Sequence, residues 1–334
     1  MKPGFISLVC LLLCCTLMLS ACDMLNLGGR RSTEVAITEE TLRQGTDALV
    51  MSFYPNTPPN ETYEDSTFEI AIVAKNIGAT NIQNGKIVLS YDRAFIENTN
   101  EPWAIYSSPS ASLGSGDSIP LEIKGKTMET PEGEESVFSK RFRAKMLESQ
   151  RQNFRASFTA TACYDYQTKK SVPICIDPEP FKETDKACQM KPVSLNSQGA
   201  PVAITRVSPR LIPKGMQGYE LEVEIAIKNK GKGQVYKRGG TDVACGLSGQ
   251  SQQKFWNIIQ ESDVNVRMGS DESSGQFECS PFPLELTGKE DIINCVYKSQ
   301  ITEKQAFTTP IIIEINYGYT HSIIATTTIS RRSS

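Results

Sequence analysis

The chain reads as an all-β protein, a pair of antiparallel β-sandwiches behind a short export leader. Three observations predict this. Apolar and polar residues alternate over short runs, as a strand with one buried and one wet face requires. Turns bearing Pro and Gly separate those runs. One block of sequence also occurs twice, which points to a duplicated unit. Helix is expected only over Thr38–Gln44 and Gln252–Gln260.

The leader comes first. Phe5 to Ala21 carries no charge and closes as Leu19-Ser20-Ala21-Cys22. A short apolar segment ending in small residues is a secretory signal. A cysteine at that point is the pattern of a lipobox, whose thiol takes a lipid and becomes the mature N-terminus. Lys2 alone supplies charge ahead of the run. A cleaved signal with a chance cysteine and an uncleaved anchor helix both stay open as alternatives. Every version leaves the bulk of the chain outside the cytoplasmic membrane, and a lipid on Cys22 or an uncleaved helix holds it at the outer face. The expected order is a signal over 1–22, a tether over 23–45, and sandwich units over 46–197 and 198–334.

The charge balance is ordinary: 35 Lys and Arg against 38 Asp and Glu, a net −3. Neither a basic stripe nor a polyanionic tail is present, so nucleic acid is not an expected partner.

The repeat is visible at two positions with one spacing. Ile70 to Gly78 aligns with Val223 to Gly231, both ending Lys-Asn-x-Gly, and Tyr164-Asp165-Tyr166 aligns with Tyr317-Gly318-Tyr319, at a common offset of 153. Pro120 to Lys126 aligns with Pro283 to Lys289 at 163, so the second copy holds an insertion before this element. Leu221, Val223, Ile225 and Ile227 alternate with glutamates, and Phe68, Ile70 and Ile72 repeat the pattern. The Lys-Asn-x-Gly ending suggests left-handed backbone, which Asn tolerates and Gly adopts freely. Further strands are expected over Lys86–Tyr91, Val137–Met146, Phe154–Tyr164, Val172–Ile176, Val264–Met268, Ile292–Tyr297, Ile311–Tyr317 and Ile323–Ile329.

Cys163, Cys175, Cys188, Cys245, Cys279 and Cys295 follow the leader, an even number in an exported chain, which reads as three disulfides. Six cysteines allow 15 connectivities. Cys163 and Cys175 flank an expected hairpin at Tyr-Asp-Tyr-Gln-Thr-Lys-Lys and could pair across it. Cys279 and Cys295 bracket a strand and its return, which leaves Cys188 for Cys245. Each bond is worth roughly 3 kcal/mol in the chain-entropy model. With no Cys-x-x-Cys and His321 the only histidine, zinc-type spacing is absent, and no metal or cofactor is expected.

The cysteine-bearing stretch carries a resemblance. Thr161 to Thr168, Val172 to Pro178, Lys186-Ala187-Cys188 and Gln198 to Thr205 resemble a family of uncharacterised archaeal surface proteins, as do Gly45 to Phe53 and Pro58-Pro59. The strand-plus-Lys-Asn-x-Gly units are similar to CARDB-type, immunoglobulin-like adhesion modules. The resemblance implies a cell-surface location and tandem immunoglobulin-like domains, and it implies no activity.

No residue pattern asks for catalysis. A triad needs a histidine held by a carboxylate beside a nucleophile; His321 is expected at the same hairpin tip as Thr168, as an exposed turn residue. The tyrosines at 164, 166, 317 and 319 are read as packing residues at that hairpin, with a sugar-stacking platform as the sharper option. The long loops Tyr91–Asp117 and Gly239–Gly275 each hold one tryptophan, Trp103 and Trp256, and are the candidate binding loops. Asn60 opens the one glycosylation sequon, Asn60-Glu61-Thr62. The expected role is a non-catalytic, membrane-held interaction, adhesion or scaffold module that meets an envelope protein or glycan. A carbohydrate- or ion-binding receptor lipoprotein is the alternative, and an envelope hydrolase stands behind both.

Overall fold

The computed structural model describes residues 38–106, 116–182, 186–247, 255–269 and 277–332. The leader, Cys22 and most of the tether lie outside the described residues.

The first repeat opens with a single helical turn, α1 (Glu39–Leu42), inside the expected Thr38–Gln44. Its strands are β1 (Leu49–Phe53), β2 (Glu61–Tyr63), β3 (Thr67–Asn76), β4 (Ile82–Tyr91), β5 (Ile96–Asn98), β6 (Ala104–Ile105), β7 (Ser118–Ile123), β8 (Glu135–Ala144) and β9 (Asn153–Ile176). The second supplies β10 (Val193–Ser194), β11 (Val202–Pro213), β12 (Tyr219–Asn229), β13 (Gln234–Tyr236), β14 (Ile258–Ile259), β15 (Val264–Met268), β16 (Phe277–Ser280), β17 (Leu284–Glu285), β18 (Asp291–Tyr297) and β19 (Phe307–Ser330). A second helical turn, α2 (Thr241–Ala244), precedes β14. The described part of Gln252–Gln260, expected as helix, carries an isolated bridge at Trp256 and strand β14 instead.

The fold is all-β, with sandwich-like layering. One outer sheet runs β1-β3-β8-β5 and a second runs β10-β11-β12-β18-β16. A third, β13-β19-β9-β4-β7, is shared by both repeats. Its centre is the pairing of β9 with β19, antiparallel without a break from Asn153↔Ser330 to Ile176↔Phe307. At the usual rise, 24 residues make a ladder of about 80 Å. The expected hairpin at 164–170 is therefore absent: Phe154–Tyr164 and Val172–Ile176 are two stretches of one strand, as are Ile311–Tyr317 and Ile323–Ile329. Even-numbered residues of β9 and odd-numbered residues of β19 turn inward, and they sit opposite each other in the ladder, so both strands feed one face. Residues 46–197 and 198–334, expected as separate units, share this sheet, and most of their buried apolar side chains form one continuous cluster, with Cys163, Tyr236 and Phe255 in a second, smaller one. Thr38–Ser334 form one compact unit.

The two repeated motifs prove to be halves of one device. The Tyr166 hydroxyl accepts from the Thr80 amide at 3.0 Å, and the Tyr319 hydroxyl accepts from the Gly233 amide at 2.8 Å. Donor and acceptor are both displaced by the repeat spacing. Asn76 and Asn229 brace these turns alike, each donating to the carbonyl four positions on, Thr80 at 2.9 Å and Gly233 at 3.0 Å. Neither asparagine, nor Gly78 or Gly231, is left-handed. The glycines serve close approach instead. A Cβ at Gly78 would lie 2.0 Å from the Tyr166 hydroxyl, and one at Gly231 would lie 2.3 Å from that of Tyr319. Each glycine makes room for its tyrosine.

Candidate interaction face on the stapled insertion

The pairing of β1 with β3 and that of β11 with β12 correspond at the repeat spacing, Leu49↔Asn76 against Val202↔Asn229, and the copies part at β13. Gln83 of β4 faces Asp165, and its repeat counterpart Tyr236 of β13 faces Gly318. At the other end Tyr91 of β4 faces Phe158, and Met268 of β15 faces Ile311. Phe158 and Ile311 keep the repeat spacing, whereas Tyr91 and Met268 are further apart than it allows. Strands β13 and β15 therefore replace β4 together, and the inserted stretch lies between them.

That insertion folds back over the first repeat. Cys245, one position past α2, bonds Cys163 in the middle of β9. The Thr241 hydroxyl donates to the Asn84 carbonyl at 3.1 Å, the Gly239 amide donates to the Asp165 carboxylate at 3.2 Å, and Lys86 pairs with Asp242. Beneath lie Tyr236 and Phe255, stacked with centroids 5.6 Å apart. Trp256 stands edge-on to both, 5.2 Å from Phe255 and 6.2 Å from Tyr236, and keeps 41% of its surface exposed. Backbone bonds fix this segment to β13, from Lys237 to Phe255 and from Asn257 to Val235. Trp256 is a large aromatic in water on a covalently pinned base, the kind of side chain that supplies contact energy at interfaces.

Trp103, in the other candidate loop, does the opposite. It is fully buried, its indole N–H donates to the Gly116 carbonyl at 3.2 Å, and the Lys140 ammonium lies 5.6 Å over its ring. It plugs its own core and offers no binding face. Asp117 closes the same loop, accepting from Tyr91 at 3.1 Å and Asn98 at 2.7 Å.

The disulfides are Cys163–Cys245, Cys175–Cys188 and Cys279–Cys295. The third agrees with the spacing argument. The other two correct it, for a reason set by the strand. Cys163 and Cys175 sit on one continuous β9, separated by about 40 Å of extended chain, and cannot meet. Cys175 closes the short connector to Cys188, which leaves Cys163 for the insertion.

Tyr164, Tyr166, Tyr317 and Tyr319 are buried mid-ladder, not at a hairpin, with neighbouring ring centroids about 6 Å apart, so no sugar can stack on them. Burial pushes the Tyr319 phenol up to about 12 and raises the other three as well. His321 is not at a tip either. It sits within β19 opposite Ala162, half-buried, and burial lowers its pKa below the usual 6.5. Asn60 is exposed, whereas Thr62 of its sequon is buried in β2 with its hydroxyl 2.9 Å from that of Ser66. Among the described residues no cluster of three His, Cys, Asp or Glu is placed to hold a metal ion.

No family model matches the chain, and no curated protein matches it. Among solved structures it is similar to a DUF4466 family protein from Parabacteroides merdae, with a TM-score of 0.18 and 10% identity over 81% of this chain and 99% of that one. It is also similar to a chain described as BspA_C_mut, with a TM-score of 0.17 and 8% identity over 86% of this chain and 99% of that one. Superpositions this loose carry neither fold nor role, and the likeness to CARDB-type modules rests on the Lys-Asn-x-Gly units alone.

Sequence reading found Cys163, Cys245 and Trp256 but not that they belong together, and it missed Tyr236, Thr241 and Phe255. The available signal was the step in repeat spacing from 153 to 163, which marks an insertion but not where it folds.

Proposed function

We propose that the chain is a non-catalytic, extracytoplasmic interaction module, held at the outer face of a membrane through Cys22, whose contact face is the insertion around Trp256. The carrying observation is asymmetry. The second copy departs from the first by a segment between β13 and β15, and that segment presents an exposed tryptophan on a base fixed by a disulfide. Loops on a rigid scaffold are where binding concentrates. Three disulfides favour an oxidising compartment, in keeping with export. His321, the one histidine, is half-buried within a strand, which supports a role without acid–base chemistry.

The test is site-specific photo-crosslinking in intact envelopes, with the probe at exposed Leu247 of the same insertion, which leaves Trp256 in place, and, as control, at exposed position 157 on the outer face of the shared sheet. A discrete adduct at 247 but not at 157 is expected. Equal labelling, or none at 247, ends this reading.

A carbohydrate-binding receptor is the second reading. The exposed Trp256 ring favours it, since one aromatic face is enough to stack a sugar. Quenching of the Trp256 fluorescence by an envelope oligosaccharide, in a chain carrying Trp103→Phe, separates it from a protein partner.

A further inference from the structure

A second concavity, sharing no residue with the Trp256 face, lies where the leading segments of the two repeats meet. It has a volume of about 620 Å³ and is lined by Glu40, Arg43, Lys170, Asn196, Ser197 and Lys230, among others. Three of these are cations and one is a carboxylate. A further hollow of about 500 Å³, sharing Glu40, Arg43 and Lys170, continues it toward Pro173.

Lys170 is the informative residue. It lies on β9 in the inward register, between buried Thr168 and Val172, where an apolar side chain belongs. Its side chain is only 24% exposed, and its carboxylate neighbour Glu40 stands 3.9 Å away and is itself 83% exposed. The aliphatic stem is covered while the ammonium opens on the cleft, and a loose contact with a solvated carboxylate offsets its charge weakly. The repeat shows that the fold does not require this charge. The repeat counterparts of Lys170, Lys230 and Arg43 are Ile323, Ile77 and Asn196. Asn196 lines the same cleft as Arg43, whereas Ile323 and Ile77 do not, so the cleft gathers the charged member of each pair.

We infer that this cleft is an anion site for a phosphate group, with Lys170 at its floor and Arg43 and Lys230 at its rim. Asn196 and Ser197 add polar lining. Ammonium and guanidinium groups around a concave site bind phosphate by charge-assisted hydrogen bonds. Arg43 belongs to the first described segment, which opens at Thr38, and Cys22 precedes that segment by a short tether. The cleft is thus near the tether in sequence, so the phosphate can belong to a lipid headgroup or to a soluble phosphorylated compound.

The full-length chain in neutral detergent is titrated calorimetrically at low salt with inorganic phosphate, with short-chain phosphatidylglycerol and with short-chain phosphatidylcholine. Binding of inorganic phosphate or of phosphatidylglycerol is expected, weakened about tenfold by Lys170→Met and by Lys230→Met and reduced by added salt. Tighter binding of phosphatidylglycerol than of both other probes assigns the group to an anionic headgroup. Binding of inorganic phosphate at least as tight assigns it to a soluble source. Lys230 is on an exposed turn, so its variant keeps the fold even if Lys170→Met does not. Failure of both anionic probes to bind, or binding that Lys230→Met leaves unchanged, overturns the site.

Discussion

Asp165 lies directly across the shared ladder from Gly318, and each is the other's counterpart in the sequence repeat. A pseudo-twofold axis therefore passes between them, which is why Tyr164 faces Tyr319 and Tyr166 faces Tyr317. The axis is broken at its own centre. A Cβ on Gly318 would lie 2.1 Å from the Tyr236 ring, the base of the insertion, whereas Asp165 carries its side chain freely and caps the Gly239 amide. Gly318→Ala is expected to cost about 1–3 kcal/mol by overpacking. Urea denaturation measures it. An unchanged midpoint would mean that Tyr236 does not rest on Gly318.

Cys163 and Cys245 have a sequence separation of 82, so their bond closes a long loop as well as pinning the insertion. Replacing both by Ala is expected to lower stability by on the order of 2–4 kcal/mol and to speed tryptic cleavage after Lys237 and Arg238. Peptide mapping without reductant checks the connectivity directly. A Cys163–Cys175 peptide would contradict the continuous β9.

The two tryptophans separate stability from contact. Trp103→Ala empties a fully buried site and should cost about 3–5 kcal/mol. Trp256→Ala should cost about 1 kcal/mol or less while abolishing a partner adduct formed from a probe at exposed Leu247 of the same insertion. Denaturation midpoints and the crosslinking yield read the two effects independently.

Much of this architecture was legible because strand alternation and the repeat are local patterns. Val264–Met268 has the expected bounds, and Asp291–Tyr297 begins one position early. The joining of the halves was not legible. Tyr164-Asp165-Tyr166-Gln167-Thr168-Lys169-Lys170 looks like a turn because it is polar and lies between apolar runs, yet its tyrosines, Thr168 and Lys170 alternate inward. Its backbone is satisfied by β19, far along the chain, and pairing at that range leaves no local mark. The wrong turn then produced the wrong cysteine partners. The same misreading placed His321 at a tip.

Glu314 ties three strands of the shared sheet. It accepts from Lys169 of β9 at 2.7 Å and Arg267 of β15 at 3.0 Å. Burial alone would raise its pKa, but these cations outweigh it, and the carboxyl lies below its usual 4.5. Its stabilising contribution is present above 4.5 and is lost as pH falls through the folded value. Glu314→Gln is expected to cost about 1–2 kcal/mol at pH 7, less than a fully buried pair, because Lys169 stays 41% exposed. The difference from wild type should shrink below about pH 4. A pH-independent difference would assign the loss to packing.

His321 gives the opposite end of the pH range a test. Burial is the main cause of its lowered pKa; Asp47 opposes the shift and Lys232 reinforces it. The folded chain holds the ring neutral where the unfolded chain, titrating near 6.5, already takes the proton. Above about pH 7 both states are neutral and the residue contributes no pH dependence. As pH falls through about 6.5 the unfolded state binds protons first, so stability declines until the folded pKa is also passed. Melting temperature should therefore fall between about pH 7.5 and 5.5, and His321→Gln should flatten that slope while other carboxylate effects remain below it. A His321→Gln chain with the wild-type slope would show that the histidine is as free to ionise in the ladder as in the unfolded chain, and that its strand register leaves it in water.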